Sequence, residues 1–325
     1  MASSFSSLIR GNAQPQGNGS KSVDWLLAGM KTIAVLLLLV GVVIVGYPFA
    51  ARGVTSFQQA KASDELSRHM AKDPHGREIL AQAEQYNRDL ATYGQPVMGS
   101  LDPDTSSDPA VARKQAKEDS VAMGDKRYMS LLHYDSGIMG TVIVPKIHVD
   151  LRIYHGTAMS TLDIGAGHLY GSSLPVGGPS THAVIAAHTG MTTAMMFTRL
   201  DEMNKKDVFY LNVAGRKMGY RVDRINVIKP DDESKLKIEP GVDRVTLMTC
   251  TPYGVNDHRL LVSGVRDYSL DTSYPDDFGK HVMGTIAGVA TGLALTVMGL
   301  ASAAIVKNHR ARQVKQGSHG IRAGR

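Results

Sequence analysis

Two long stretches without a charged residue constrain this chain more than any other feature. Residues 32–51 and residues 282–306 are 20 and 25 residues long, and neither contains Asp, Glu, Lys or Arg. A helix needs about 20 apolar residues to cross the hydrocarbon core of a bilayer. We therefore predict one transmembrane helix at each end. A cleavable signal peptide is an alternative for the first, but a polar leader of 31 residues precedes it and no small-x-small cleavage site follows it.

The charge distribution predicts the orientation of these helices. The net charge is +6, of which residues 1–31 contribute +2 and residues 307–325 contribute +6. Basic residues beside a span stay on the cytoplasmic side. We therefore expect a cell-membrane protein with both termini in the cytoplasm and residues 52–281 outside. The middle, residues 32–306, holds 27 basic and 29 acidic residues, which argues against a nucleic-acid-binding core.

The second uncharged stretch also carries Gly284, Gly288 and Gly292 at intervals of four residues. This spacing puts the three glycines on one helical face, where the first transmembrane helix could pack closely. Ordinary glycine usage in membrane helices is the alternative explanation.

The exterior part begins with a helical segment, residues 52–127. Scattered apolar positions in residues 56–93, interrupted at Asp73–Gly76, predict one or two amphipathic helices. Residues 94–127 are richer in Gly, Pro, Ser and Asp and predict a long loop. Loops of that length are usually lids, binding loops or linkers.

From residue 137 onward the sequence consists of short runs rich in β-branched residues. Seven such candidate strands predict a mainly β domain, either a barrel or a sandwich. One short helix, Thr192–Glu202, is predicted among them. The candidate strands are Thr141–Val144, Val149–Tyr154, Ala183–Ala187, Val208–Val213, Tyr220–Ile228, Val245–Met248 and Leu260–Val265.

The chain contains one cysteine, Cys250, which excludes a disulfide framework and a four-cysteine zinc site. We predict neither a metal site nor a cofactor. Cys250 closes a predicted strand just before a Pro/Gly turn, and His258 and Arg259 follow across that turn. A nearby cation favours the reactive thiolate. The alternative is that Cys250 is a small buried apolar residue, the commoner fate of a free cysteine.

A cysteine nucleophile requires a base, and histidine is the usual one. Among 12 histidines, His188 ranks first because it ends the apolar run Ala183–Ala187 where a buried strand emerges into a loop. His258 is the second candidate. The polar helical region and the tail hold His69, His75, His309 and His319, for which we expect solvent exposure, whereas His148, His155, His168 and His182 are candidates only through their proximity to strands.

The segment Thr246–Val262, with Thr-Cys-Thr-Pro-Tyr-Gly followed by His-Arg-Leu-Leu-Val, resembles the signature of class C sortases, the pilus-assembling sortases of Gram-positive bacteria. The resemblance covers about residues 128–266. Further matching motifs occur upstream in the family's order, at Met139–Gly140, Val144–Ile147, Ile153–Thr157, Gly167–Leu169, Ser173–Gly178 and Ala187–Gly190.

The resemblance implies a fold, a reaction and a set of residues. The fold is a closed sortase β-barrel of about eight strands with short helices. The family's nucleophile falls on Cys250, its histidine on His188 and its arginine on Arg259. The implied reaction cleaves a Leu-Pro-x-Thr-Gly-like sorting signal between Thr and Gly and passes the acyl group to a lysine of another pilin subunit.

The resemblance is weakest at the lid that covers the active site in many class C members. That lid bears Asp-Pro followed by an aromatic residue, and the nearest match here, Asp102-Pro103, is followed by Asp104. We predict a lid over residues 94–127 held by Asp102 near Arg259, with a mobile linker as the alternative.

Together these observations predict seven regions and leave two other functions open. The runner-up is a housekeeping sortase that anchors proteins to the cell wall, and the alternative from another class is a non-enzymatic surface adhesin or receptor. The regions are a cytoplasmic leader (1–31), a membrane helix (32–51), a helical segment with the lid (52–127), the catalytic barrel (128–270), a linker (271–281), a second membrane helix (282–306) and a basic cytoplasmic tail (307–325).

Overall fold

A computed structural model of the chain describes residues 19–95, 98–99, 109–134, 137–191 and 194–272, together with six separate helical positions between 288 and 302. The following description concerns these residues. They form two compact units, one ending at Phe49 and one beginning at Ala50.

The first two helices agree with the amphipathic pattern predicted for residues 56–93. Helix α1 runs from Gly19 to Lys72 and α2 from Gly76 to Tyr93, with the break at the predicted Asp73–Gly76 segment. Helix α2 buries one face, and the amide of Asn87 on that face bonds the backbone of Leu174 in both directions, at 2.9 and 2.7 Å. These two bonds fix α2 against the domain that follows.

The structure describes little of the two predicted membrane helices. Residues 32–51 have a helical backbone within α1, but most of their side chains lie outside the described residues, as does nearly all of 282–306, including Gly284. Within the part of the chain whose side chains are described, no helix is long and apolar enough to cross a membrane.

The prediction of a continuous loop over residues 94–127 is wrong for its second half. Helix α3 spans Pro109–Gly124 and α4 spans Lys126–Ser130. Proline is favoured in the first turn of a helix, and the alanines and lysines that follow are strong helix formers. Asp125 caps α4 by accepting a hydrogen bond from the Tyr128 amide at 3.0 Å. The Gly, Pro and Asp residues that predicted a loop concentrate before α3.

The β-domain is a closed barrel of eight strands, which confirms the predicted barrel of about eight strands. The order around the barrel is β1-β2-β3-β4-β7-β8-β6-β5, and β5 closes it by pairing with β1. Among the strands of the described residues, only β2–β3 and β4–β7 pair in parallel. The strands are β1 Ile138–Val144, β2 Val149–His155, β3 Ala166–His168, β4 Thr181–Ala186, β5 Val208–Val213, β6 Arg216–Ile228, β7 Asp243–Thr251 and β8 His258–Arg266.

Apolar side chains from all sides of the barrel form its core. Strand β2 alternates buried and half-buried positions, as expected for a strand with one face inward. Inside, the rings of Phe209 and Tyr220 stack at 5.6 Å, and Gly264 passes so close that an added Cβ would lie 2.8 Å from the Phe209 ring. The closed core leaves the strand ends and their loops as places for a site.

The predicted helix Thr192–Glu202 does not form over its described residues. Residues 196–199 are turns, and only a 3-10 turn, Leu200–Glu202, is helical. Met196 has a φ of 40°, a left-handed conformation that a right-handed helix excludes. The Phe197 amide instead donates to the carbonyl of His188 at 3.0 Å, so the segment folds back toward the end of β4.

Candidate active site

Cys250 and Arg259 lie directly opposite each other in the antiparallel pair of β7 and β8. Opposed side chains on an antiparallel pair share one face and have Cβ atoms about 4.5–5.5 Å apart. Both residues are buried, with 4% of Cys250 and 1% of Arg259 exposed. The barrel therefore places a thiol beside a permanent cation in a largely water-excluded position.

The loop between β7 and β8 orients the guanidinium of Arg259. Its Nη1 donates to the carbonyls of Asn256 and His258 at 2.7 and 2.8 Å. These carbonyls are presented by a tight turn in which the amides of Val255 and Asn256 both donate to the Pro252 carbonyl at 3.0 Å. Asn256 has a φ of 60°, a conformation that asparagine adopts more readily than most residues.

His188 reaches the same end of the barrel from the neighbouring strand. Strands β4 and β7 are parallel, and their last paired residues are Ala186 and Met248. The pairing continues one residue further, because the Ala187 amide donates to the Met248 carbonyl at 3.1 Å and its carbonyl accepts from the Thr249 hydroxyl at 2.8 Å. His188 and Cys250 each lie two residues beyond the last register pair, so they are at the same level of adjacent strands.

The loops that carry these residues pack against each other. Gly190 has a φ of 76°, and a Cβ added there would lie 3.0 Å from the ring of Tyr253. Its amide donates to the Thr198 hydroxyl at 3.1 Å. Glycine is thus required at this position for two reasons, a left-handed backbone and the close approach of the β7–β8 loop.

The chain is similar to known sortases. The sortase domain family model matches residues 142–267, a range that includes all three predicted catalytic residues. The solved structure of sortase C1 of GBS pilus island 1 is 37% identical, with a TM-score of 0.52, and the match covers 68% of this chain and 95% of that one. The sortase C of Streptococcus pneumoniae is 38% identical, with a TM-score of 0.51 and coverage of 64% and 95%.

The chain belongs to the sortase family. Its named structural neighbours place it in class C. Curated relatives are more distant: sortase A of Streptococcus agalactiae is 26% identical over 117 residues and sortase D of Bacillus subtilis is 26% identical over 130 residues. The matches to these two relatives cover 35% and 39% of the chain, and 47% and 63% of the relatives' own lengths.

Two histidines of the sortase barrel belong to its buried framework. Nε2 of His168 donates to the Ser173 carbonyl at 2.8 Å, and its Nδ1 accepts from the Tyr128 hydroxyl at 3.0 Å. Nδ1 of His182 donates to the Lys237 carbonyl at 3.0 Å, while its Nε2 accepts from Thr246 at 2.7 Å.

Burial lowers the pKa of each of these imidazoles to about 4, so His168 and His182 are neutral at neutral pH. His155 is also held by the backbone, with its ring nitrogens 3.1 Å from the Gly137 carbonyl and 2.8 Å from the Leu131 carbonyl. Burial lowers the pKa of His155 as well.

His258, the second candidate base, occupies a different environment from His188. Its side chain is 41% exposed, and its Nδ1 lies 2.8 Å from the neighbouring Asp257 carboxylate. It pairs with Thr251, one position past the level of Cys250 and Arg259. The His188 side chain is only 12% exposed. The more enclosed position of His188 favours it as the base.

One residue near the site was missed by the sequence analysis. Asp163 ends the short helix α5, Met159–Leu162, and its Oδ1 lies 3.7 Å from Nε2 of His188. The sequence offered one sign of Asp163: it is the only acidic residue among residues 151–200. No motif marks it, and only the fold brings α5 to the end of β4.

The predicted lid residues Asp102 and Pro103 lie outside the described residues. The chain just before them packs against the rest of the domain: Met98 is buried, and the Gly99 amide donates to the Tyr170 carbonyl at 2.9 Å. On the other side, α3 begins at Pro109. The lid therefore stays a prediction.

Proposed function

We propose that this sortase is a cysteine transpeptidase that cleaves a Leu-Pro-x-Thr-Gly-like sorting signal and joins its acyl part to an amine of a pilin subunit. One observation carries the proposal: Cys250 and Arg259 are a directly opposed cross-strand pair, with His188 at the same level of the adjacent strand. That arrangement supplies a nucleophile, a fixed cation and a proton carrier in one place.

In the first half-reaction the thiolate of Cys250 attacks the carbonyl carbon of the threonine residue. A C–S bond forms, and the carbonyl electrons move onto the oxygen. Collapse of this tetrahedral species breaks the threonine–glycine C–N bond, and the departing amine takes a proton from His188. The product is a thioester between the threonine carbonyl and Cys250.

Arg259 stabilises charge and does not carry protons, since a guanidinium remains protonated in proteins. Its proposed role is to bind the sorting signal and the oxyanion of the tetrahedral intermediate. The two loop carbonyls at 2.7 and 2.8 Å hold its position before substrate arrives. Preorganised donors of this kind require little reorganisation when charge develops, and each is worth about 10²–10³ in rate.

In the second half-reaction an amine attacks the thioester. We assign the acceptor as a lysine of another pilin subunit, following the class to which the structural neighbours belong. The solved Streptococcus pneumoniae sortase C is described in terms of pilin substrate specificity, which supports a pilin substrate here. His188, neutral after the first step, accepts a proton from the attacking nitrogen.

We further propose that residues 32–51 and 282–306 anchor the enzyme in the cell membrane with both termini in the cytoplasm. Their lack of charge and the basic flanks support this topology. Close packing of the two helices through Gly284, Gly288 and Gly292 belongs to the same proposal. Residues 94–127 supply a lid held by Asp102.

Intact-mass analysis of the full-length enzyme in detergent tests the proposal. Incubation with a Leu-Pro-x-Thr-Gly peptide should add the mass of the acyl part, and addition of a lysine-containing pilin fragment should remove it and yield the joined product. Neither Cys250→Ala nor His188→Ala should form the adduct. A wild-type enzyme that forms no adduct, or a Cys250→Ala variant that still joins pilin, would contradict the proposed mechanism.

A further inference from the structure

A solvent-exposed carboxylate lies beside the proposed base. Oδ1 of Asp163 is 3.7 Å from Nε2 of His188, and the Asp163 side chain is 56% exposed whereas that of His188 is 12% exposed. The backbone of Asp163 is fixed by its amide, which donates to the Met159 carbonyl at 2.9 Å. Asp163 is therefore both close to His188 and accessible from solvent.

The 3.7 Å between Oδ1 and Nε2 limits how these two groups can interact. It exceeds the usual N–H···O range of about 2.7–3.2 Å, so the carboxylate does not hold the imidazole by a direct hydrogen bond. It is also less than twice a hydrogen-bond length of about 2.9 Å. One nitrogen atom can consequently lie within hydrogen-bond distance of both groups at once.

A primary amine matches this pair of acceptors. Its two hydrogens can point to Oδ1 of Asp163 and Nε2 of His188 while its lone pair is directed at the acyl carbon. The ε-amine of lysine, with a pKa of about 10.4, arrives as a cation, which an exposed carboxylate attracts. Next to Asp163, Ile164 is 56% exposed and offers an apolar surface to the methylene stem of a lysine.

We propose that Asp163 is the acceptor-binding residue, which receives the ammonium group of the incoming lysine and delivers it to His188. This inference rests on the proposed function, since it concerns the second half-reaction.

The bound ammonium first releases one proton to water, which frees the nitrogen lone pair. The nitrogen then attacks the thioester carbon, a C–N bond forms, the C–S bond breaks, and Cys250 leaves as a thiolate. The second proton passes from nitrogen to His188, which becomes an imidazolium. The amide product keeps the third hydrogen.

Two nucleophiles of different charge distinguish the acceptor role from a general effect on His188. Full-length acyl-enzyme is resolved either by Nα-acetyl-lysine amide, which is cationic at neutral pH, or by hydroxylamine, which is largely uncharged. The measured quantity is the ratio of the two kcat/KM values. Asp163→Asn keeps the size and an acceptor oxygen but removes the charge.

We expect this ratio to fall about two- to fivefold in Asp163→Asn, the range typical of an exposed ion pair, and to fall further in Asp163→Lys. High salt should reduce the difference from wild type, because it screens an exposed pair. Glu78→Gln, an equal charge change at an exposed position of α2, is the matched control and should leave the ratio as it is in wild type.

An unchanged ratio in Asp163→Asn would overturn the proposal. Equal losses with both nucleophiles would also overturn it, because they would mean that Asp163 only supports His188. Failure of the proposed function is distinguishable, since the wild-type enzyme would then form no acyl-enzyme with which to start either reaction.

Discussion

Cys250 and Arg259 occupy one rung of the β7–β8 ladder, so their relative position is set by strand register. A slip of one residue would send one of the two side chains to the other face of the sheet. The register is held on both sides, because β7 also pairs with β4 and β8 with β6. The relative position of Cys250 and Arg259 is therefore fixed by the closed barrel.

Arg259→Lys should lower kcat for cleavage of a sorting-signal peptide by about 10²-fold or more. Lysine keeps the charge but loses the planar guanidinium, whose Nη1 donates to both the Asn256 and the His258 carbonyl. Steady-state cleavage assays, with thermal unfolding to confirm the fold, measure this effect. Arg224→Lys, a change on exposed β6 surface, is the control, and equal losses in the two variants would contradict the role of Arg259.

Gly190→Ala should destabilise the enzyme by at least about 1–2 kcal/mol, the cost of a left-handed conformation for a residue with a Cβ, and should also slow turnover. Gly241→Ala is the matched control, because Gly241 has nearly the same positive φ, 77°, but a Cβ there would meet no atom within 4 Å. Denaturant unfolding of both variants separates backbone strain from the contact with Tyr253.

Addition of Tyr253→Ala to the Gly190→Ala variant should recover only the part of the loss that comes from the clash. If Gly190→Ala and Gly241→Ala were equally stable and equally active, the contact between the two loops would have no importance.

The buried histidines predict acid destabilisation. The pKa of His168 and of His182 falls from 6.5 to about 4 on folding because burial disfavours the charged ring. The unfolded chain therefore binds more protons than the folded one between these values, and stability falls as pH decreases through that window. Each residue should cost about 3 kcal/mol in total by pH 4.

Urea unfolding as a function of pH measures this slope. His182→Gln should flatten it, even if the variant is less stable at every pH, whereas the exposed His75→Gln should not. A stability that did not change between pH 6.5 and 4 would contradict the neutral, buried state of these rings.

Asp102→Ala should increase the rate at which a thiol reagent labels Cys250 if residues 94–127 cover the site. Cys250 is buried within the described residues at 4% exposure, so labelling reports on access to it. Asp104→Ala, two residues away in the same segment, is the control. Equal labelling rates for wild type and Asp102→Ala would favour the mobile linker.

Sequence patterns predicted much of the barrel because each strand carries its own local signal. Runs such as Val208–Val213 combine β-branched residues with flanking turns, and the structure contains a strand at each of the seven predicted places. The eighth strand, Ala166–His168, was missed. Three residues with a central glycine have no periodicity, and this strand exists only because β2 and β4 lie on either side of it.

Local patterns misassigned two segments, for different reasons. The segment from Thr192 to Glu202 has helix-forming residues, yet its backbone turns back to bond His188. The segment from Pro109 to Gly124 is helical although its polar composition predicted a loop. In the first case the contact with His188 outweighs a helix preference of a few tenths of a kcal/mol per residue. In the second, the Gly, Pro and Asp residues before Pro109 obscured the helix-forming residues that follow.

The sequence indicated where seven of the eight strands lie and placed Cys250, His188 and Arg259 where apolar runs meet turns. It left His258 as a second candidate base, and the resemblance to class C sortases selected the three residues. The tertiary structure decided which of these ends meet, how Arg259 is oriented by loop carbonyls, and that Asp163 stands beside His188. The reason is physical: closing a barrel joins strands far apart in sequence, and no local pattern encodes the distance between their ends.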